Sequence, residues 1–296
     1  MTIDIIVPVY RGLAETRRCL ASVLASRTRH AYQLIVIDDA TPEPALAGYL
    51  DDLFAQGRIT LLRQRENRGF VASVNRGMCL HDERDVVLLN SDTEVANDWL
   101  DRLARAAHAA PDVGTVTPLS NNATICSYPY LDWPGGVPGE LGLARLDALV
   151  AECNAGACVD LQTAVHFCMY LRRDFLRPVG LFEAETFGRG YGEENDFCLR
   201  AEANGWRNIL AADVFVYHQG SVSFGDDRHA LMASAGAALL ARHPDYMAKV
   251  GAFVARDPVA PWRARIDAAR RAMGPAEAAA VDQEQGARTD MAIHSQ

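Results

Sequence analysis

Asp85-Val86-Val87-Leu88-Leu89-Asn90-Ser91-Asp92-Thr93-Glu94-Val95 is the stretch from which the rest of the chain is read. Four apolar residues in a row after a charged start predict a short strand buried on both faces, as in parallel sheets. The strand delivers Asp92 and Glu94 at its C-terminal end, the edge where open α/β sheets bind ligands. Carboxylates there suit a hard cation. Mg²⁺ or Mn²⁺ takes oxygen ligands, commonly one or two carboxylates plus substrate phosphates, so an Asp-x-Glu pair points to a metal-bridged nucleoside diphosphate. The alternative is an N-cap aspartate followed by a first-turn acid, and the rest of the chain has to decide.

Upstream, Ile3 to Val9 is a mainly apolar run suited to a central strand. Pro8 cannot donate to a ladder, so it belongs where the strand ends and the backbone turns. Leu13 to Ala25 then carries a helical apolar face. Gln33 to Ile37 is the next strand, ending in Asp38-Asp39-Ala40-Thr41-Pro42. A helix over 44–55, a strand over 59–63, a loop Glu66-Asn67-Arg68-Gly69-Phe70 and a helix over 71–80 lead to the stretch quoted first. A helix over 98–109 and a strand over 114–118 follow it. Strands alternating with helices through short polar loops predict a mainly parallel, doubly wound α/β sheet with helices on both faces. Three polar loops then share one edge: 8–11, 38–39 and 90–94. No G-x-G-x-x-G follows the first strand and no phosphate loop of the G-x-x-x-x-G-K-[ST] type occurs, which disfavours a dinucleotide site.

Residues 119–140 are rich in Asn, Pro, Gly and aromatics and cannot hold a regular element for long. They read as a loop able to cover a sugar or as an aromatic-packed surface. A helix over 141–153, a strand over 165–171 and a short helix over 173–179 come next. Gly188-Arg189-Gly190-Tyr191-Gly192 reads as a flexible loop before Glu193-Glu194-Asn195-Asp196. First-turn acids favour a helix dipole, yet three in four residues repel, so one has another duty, such as proton abstraction. Val214 to Tyr217 is a strand ending in His218, an acceptable ligand for Mn²⁺ beside carboxylates.

The chain has 296 residues, 49% apolar and 23% charged, which is ordinary globular composition. A formal charge of −9 without a basic stripe argues against a nucleic-acid partner. Seven scattered cysteines without a C-x-x-C pair read as reduced thiols. No run reaches the length of a membrane span and no signal-peptide layout precedes the first strand. The expectation is a cytoplasmic protein, with the inner face of the membrane open to it. Ala-rich helices over 228–242, 246–254 and 262–273 follow, with core packing, a partner contact and a peripheral membrane contact as their alternatives. From Gly274 the chain is polar and reads as a disordered tail. The expected division is 1–224, a helical extension 225–273 and the tail 274–296.

Assembled, these motifs resemble the inverting family 2 glycosyltransferases of the GT-A fold, over about residues 3–224. The resemblance rests on Ile6-Val7-Pro8-Val9-Tyr10, Val36-Ile37-Asp38-Asp39, Asn67-Arg68-Gly69-Phe70 with Asn75-Arg76-Gly77, Leu89-Asn90-Ser91-Asp92-Thr93-Glu94, Gly192 to Arg200, and Val216-Tyr217-His218. The Asn90–Glu94 and Glu193–Arg200 forms look closest to bacterial, rhamnosyltransferase-like members that make surface polysaccharides. The resemblance implies a nucleotide-diphosphate-sugar donor, UDP-, dTDP- or GDP-linked, and a glycan or lipid-linked acceptor. It implies a nucleoside pocket of Pro8, Tyr10, Asp38, Asp39 and Arg68, and Mg²⁺ or Mn²⁺ held by Asp92 and Glu94, with His218 able to add a ligand. Glu194 matches the catalytic base, and Glu193 and Asp196 stand as its competitors. Many relatives have aspartate at the positions of Glu94 and Glu194, and the longer side chain moves the carboxylate by about 1.5 Å. The rival readings are a non-catalytic nucleotide-sugar or glycan-binding accessory protein and a sugar-1-phosphate nucleotidyltransferase.

Overall fold

The computed structural model describes residues 1–133, 141–188, 190–220 and 228–273, the side chains of 228–234 excepted. In chain order the elements are β1 (Thr2–Val9), α1 (Leu13–Ala25), β2 (Ala31–Asp38), α2 (Pro44–Ala55), β3 (Thr60–Arg63), α3 (Gly69–Met78), β4 (Asp85–Leu89), β5 (Thr93–Glu94), α4 (Trp99–Ala107), β6 (Val113–Ser120), α5 (Leu143–Cys153), β7 (Cys158–Leu161), β8 (Cys168–Leu171), α6 (Arg173–Val179), α7 (Ala184–Phe187), α8 (Glu193–Ala203), β9 (Arg207–His218), α9 (Arg228–Arg242), α10 (Tyr246–Arg256) and α11 (Ala260–Ala272).

The sheet runs β3-β2-β1-β4-β8-β6-β9-β5, with β7 also paired to β9. Strands β1, β2, β3, β4, β6 and β9 point one way, and β5, β7 and β8 the other. Period-two alternation explains why the central strands are apolar throughout. In β4, Val87 and Leu89 pack on one face against α1, α4 and α5, while Val86 and Leu88 pack on the other against α3, α6 and α8. Pro8 pairs in register with Ile37, and the β1–β4 ladder has already ended at Ile6 and Leu88, so its missing N–H interrupts nothing there.

Three elements depart from the periodic reading. Strand β8 lies antiparallel between β4 and β6, with Leu89 opposite Cys168 and Val116 opposite Tyr170. An all-buried run such as Cys-Met-Tyr-Leu fits any slot covered on both faces, and local pattern says nothing of its direction. Strand β7 was not anticipated because only Leu161 of its four residues is buried. Strand β9 starts seven residues before the expected Val214, because the small Ala211-Ala212 and the buried Asp213 interrupt an otherwise continuous apolar run.

Asp213 belongs to a polar knot beneath the sheet. Arg102 of α4, 3% exposed, pairs with the fully buried Asp147 of α5 and donates to the Asp213 carbonyl. Asp147 also accepts from the Phe215 backbone at 3.0 Å and from Asn97 at 2.8 Å. Helices α10 and α11 close the same core through Phe253, Val259 and Ile266. The Tyr128 hydroxyl donates to Asp267 at 2.7 Å and accepts from Arg270 at 3.0 Å, pinning residues 119–133 beneath α11. One face of α10 and of α11 is thus packed on the core, and among the described residues no helix is long and apolar enough to cross a membrane. All seven cysteines are free. The remainder of the aromatic loop, 134–140, and the expected tail lie outside the described residues.

Removing Asp147 leaves the Arg102 guanidinium buried without its counter-charge. Asp147→Ala is expected to destabilise the fold by about 3–5 kcal/mol, read as a lowered urea midpoint, with Arg102→Met/Asp147→Leu recovering much of the loss.

Candidate active site

The turn after β4 is built by Asn90, whose carbonyl accepts from the Thr93 backbone at 3.2 Å and its hydroxyl at 2.7 Å. That turn aims β5 back along the end of β9, where Thr93 pairs with His218. Asp92 is thereby brought against His218, with Oδ1 at 3.5 Å from Nε2, while the Gly220 backbone donates to Oδ2 at 3.0 Å. The His218 ring stacks on Phe167, 5.3 Å between centroids, and its Nδ1 lies 2.7 Å from the Asn122 carbonyl. A carbonyl can only accept, so Nδ1 carries the proton and the Nε2 lone pair faces Asp92. Burial, with the charge of His166, lowers the pKa of His218 and keeps the ring neutral. Bonds of about 2.1 Å to one cation hold neighbouring donor atoms about 3.0–3.4 Å apart. Asp92 and His218 therefore fit a Mn²⁺ or Mg²⁺ ion with little adjustment. Glu94 is not drawn into this pair. Its Oε1 accepts from Arg18 Nε at 3.0 Å, a partner 76 residues away that no local pattern announces.

A second cluster faces the first. Gly192, at φ 83°, caps α8 in a left-handed conformation; a side chain there would also crowd Phe187 at 3.2 Å. The cap presents Glu193, fully buried, and Glu194 to His166, whose Nδ1 lies 3.4 Å from Glu193 Oε1 and 3.6 Å from Glu194 Oε2. His166 stands two residues before β8, and Phe70 of α3 packs on its ring at 4.5 Å. Burial and the Glu194 charge push Glu193 up to about 8. Burial opposes ionisation of Glu194 too, but the His166 cation outweighs it and lowers the pKa. Burial likewise disfavours the charged His166, yet the charges of Glu194 and Glu193 lift it to about 9. Among the described residues these three form a group whose donor atoms all lie within 4.8 Å. The sequence reading missed His166. The available signal was a titratable ring inside the otherwise apolar run 164–171.

Asp196, the other acid of that turn, is placed differently. It accepts from Arg200 at 2.8 Å and His243 at 2.9 Å and pairs with Arg242 at 3.1 Å, tying α8 to α9. Burial would raise its pKa, but the hydrogen bonds from His243 and Arg200 and the charges of Arg200 and Arg242 outweigh it and hold the carboxyl below its usual range.

Asp38 and Asp39 do reach the same sheet edge, and both carboxylates are engaged by the protein. Asp38 accepts from the Thr41 backbone at 2.8 Å and Arg63 at 3.0 Å. Asp39 accepts from the Arg68 and Gly69 backbones at 2.7 and 2.8 Å and from Gln64 at 2.9 Å, capping α3 from a distance. Pro8 and Tyr10 are half-buried beside them, Arg11 lies over the Tyr10 ring at 5.2 Å, and Arg68 is exposed.

With this geometry in hand, comparison with known proteins is informative. Residues 4–147 match the family model described as Glycosyl transferase family 2, so the motif resemblance holds over that stretch, while the Gly192–Arg200 and Val216–His218 motifs lie beyond it. The uncharacterized protein y4gI of Sinorhizobium fredii is 24% identical over 236 residues, 76% of this chain and 25% of its own length. N-acetylgalactosaminyltransferase 7 of Drosophila melanogaster is 25% identical over 131 residues, 43% of this chain and 20% of its own. The chain thus spans a quarter or less of these relatives. Among solved structures, the mannosyltransferase PcManGT of Pyrobaculum calidifontis, in complex with GDP-Man and Mn²⁺, superposes with a TM-score of 0.56 at 18% identity over 96% of this chain and 79% of its own. GalNAc-T7 with UDP, GalNAc and Mn²⁺ superposes at 0.57 and 15% identity, over 83% of this chain and 51% of its own. The fold is GT-A, a mainly parallel α/β sheet with a helical C-terminus.

Asp39→Ala strips the acceptor from two backbone amides and from the half-buried side-chain amide of Gln64. A loss of about 1–3 kcal/mol is expected, measured by denaturant unfolding, with faster hydrogen exchange at the Arg68 and Gly69 amides.

Proposed function

We propose that this chain is a metal-dependent inverting glycosyltransferase, moving a sugar from a nucleoside-diphosphate sugar to a hydroxyl of a glycan or lipid-linked acceptor. The observation that carries the reading is that the adjacent His166 and Phe167 touch Glu194 and His218 respectively, bringing Glu194 and the metal-suited Asp92–His218 pair to the same end of β8. The family match over residues 4–147 supports it, as do solved neighbours that hold GDP-Man or UDP with Mn²⁺.

In this reading Asp92 and His218 hold Mn²⁺ or Mg²⁺ against the donor diphosphate, with Glu94 adjoining through its tie to Arg18. The ion, when bound, neutralises charge that grows on the departing diphosphate. Pro8 and Tyr10 line the nucleoside pocket with Arg68 at its rim, and Asp38 and Asp39 pin the loops that shape it. Glu194 takes the proton from the acceptor hydroxyl as that oxygen attacks the anomeric carbon opposite the leaving group. The new C–O bond forms as the bond to the diphosphate breaks, and the electron pair leaves with the nucleotide, so the configuration inverts. Glu194 is preferred to Asp196, whose carboxylate is shared among Arg200, Arg242 and His243, and to the fully buried Glu193. Residues 1–224 are the catalytic domain, extended by the helices after 225. The forms of the Asn90–Glu94 and Glu193–Arg200 motifs support a rhamnosyltransferase-like role in bacterial surface-polysaccharide synthesis at the inner membrane face.

Thermal unfolding with UDP, dTDP, GDP and CDP, each with and without Mn²⁺, tests the donor site. One nucleotide should raise the midpoint only with metal, by about 2.7 kcal/mol at a hundredfold excess over its Kd. Asp92→Ala should abolish the shift and His218→Ala weaken it. No shift from any nucleotide would overturn the donor site. Glu194→Gln should keep the shift and lose transfer by a factor on the order of 10² to 10⁴. Binding without transfer by the wild type would instead mark an accessory protein.

A further inference from the structure

The most concentrated anomaly among the described residues lies around His166. Four buried polar atoms there lack a hydrogen-bond partner: His166 Nδ1, both oxygens of Glu193, and Glu194 Oε2. Two carboxylates on adjacent residues of one helix turn, one of them fully buried, would ordinarily compete for a proton. What stands between them is the imidazole.

We infer that His166 is a positioning residue for the proposed base: seated between Glu193 and Glu194, it is the counter-charge of the second and leaves that carboxylate free to turn towards the acceptor. The inference rests on the reading of Glu194 as base. Its geometry is specific. The ring is held by Phe70 packed on its face, so its direction does not depend on either carboxylate. The two contacts, 3.4 and 3.6 Å, exceed the 2.7–2.9 Å of a charge-assisted hydrogen bond. One cation thus serves both carboxylates without locking either. A base clamped in a short hydrogen bond would have to break it before accepting a proton.

The remaining groups around Glu194 leave this task to His166. On its own helix the neighbours are Glu193 and Cys198, whose thiol burial pushes up to about 12, so it stays neutral. From α10 comes Tyr246, its phenol also pushed up to about 12 by burial. Beyond His166 lie Asp92, after β4, and His218, at the end of β9, which is kept neutral. Arg200, Arg242 and His243 are gathered on Asp196. Among the described residues, then, His166 is the cation in contact with the acid pair. The direction of each carboxyl agrees: Glu193 is the acid that retains a proton, and Glu194 the one held ionised.

The sign of the effect follows. Without the cation the proton affinity of Glu194 rises, and a general base works only when deprotonated. Activity lost at neutral pH should therefore return at higher pH. Glu193 keeps its proton over this range, so its replacement by glutamine removes no charge.

The test is release of nucleoside diphosphate from UDP- and GDP-sugars with Mn²⁺ as a function of pH, for wild type, His166→Gln, Glu193→Gln, the double variant and Glu194→Gln. In His166→Gln the acidic limb of kcat should move up by about 1–3 units, a tenfold loss below the limb for each unit, while KM for the donor holds. Glu193→Gln alone, replacing a protonated acid, should leave the limb in place, and the double variant should shift like His166→Gln. Retention of the Mn²⁺–nucleotide thermal shift shows that each variant is folded, and the neutral, shorter His166→Asn keeps the test alive should His166→Gln fail to fold. An unmoved limb in the folded His166 variant overturns the inference. So does a second equivalent of Mn²⁺ or Zn²⁺ bound by the wild type and lost in His166→Gln, which would make the trio a cation site. Wild-type turnover by Glu194→Gln sinks the underlying base assignment, a failure distinct from the other two.

Discussion

The site depends on the insertion of β8, antiparallel, between β4 and β6. Leu89 pairs with Cys168, so the residues just before β8 emerge beside the turn that follows β4, and Asn90 donates to the Phe167 carbonyl at 2.9 Å. From that one register come Phe167 against His218, and His166 against the first turn of α8. A slip of one residue would turn every β8 side chain to the opposite face. The buried Asp85 resists the slip, because its carboxylate accepts from the Tyr170 hydroxyl at 2.7 Å and from the Arg173 backbone at 2.8 Å.

Around this register the acids at the sheet edge divide by the partners they meet. Asp38, Asp39, Asp196 and Glu94 are occupied by arginines, a histidine or backbone amides, and they hold loops and helix ends in place. Asp92, Glu193 and Glu194 instead face histidines across gaps of 3.4 to 3.6 Å. Such spacings are wide for a hydrogen bond and close enough for strong electrostatic coupling in a dry site. Acids in short hydrogen bonds and acids held at wider spacing therefore sit within one edge, separated by the geometry of their partners.

The C-terminal helices take part in this division. Helix α9 supplies Arg242, and His243 follows it; both bind Asp196. Helix α11 supplies Asp267 and Arg270 to Tyr128, beneath the segment whose Asn121 and Asn122 hold His218. A segment distant in sequence thus supports both α8, with Glu193 and Glu194 in its first turn, and His218.

The sequence by itself determined the layer architecture, because strands buried on both faces must be apolar and the helices between them must show a 3.6-residue face. It also placed Asp92, Glu193, Glu194 and His218 at element ends, where Gly and acid clusters mark strand and helix boundaries. Tertiary structure alone decided which acids of this edge meet cationic or imidazole partners of the protein's own. Arg18 meets Glu94 from 76 residues away, and His243 meets Asp196 from 47 away. It also decided the direction of β8 and the contact of His166 with Glu193 and Glu194, since neither strand orientation nor a contact with α8 leaves a local period. Hydrophobic periodicity is a property of neighbours in sequence, whereas charge pairing is a property of neighbours in space.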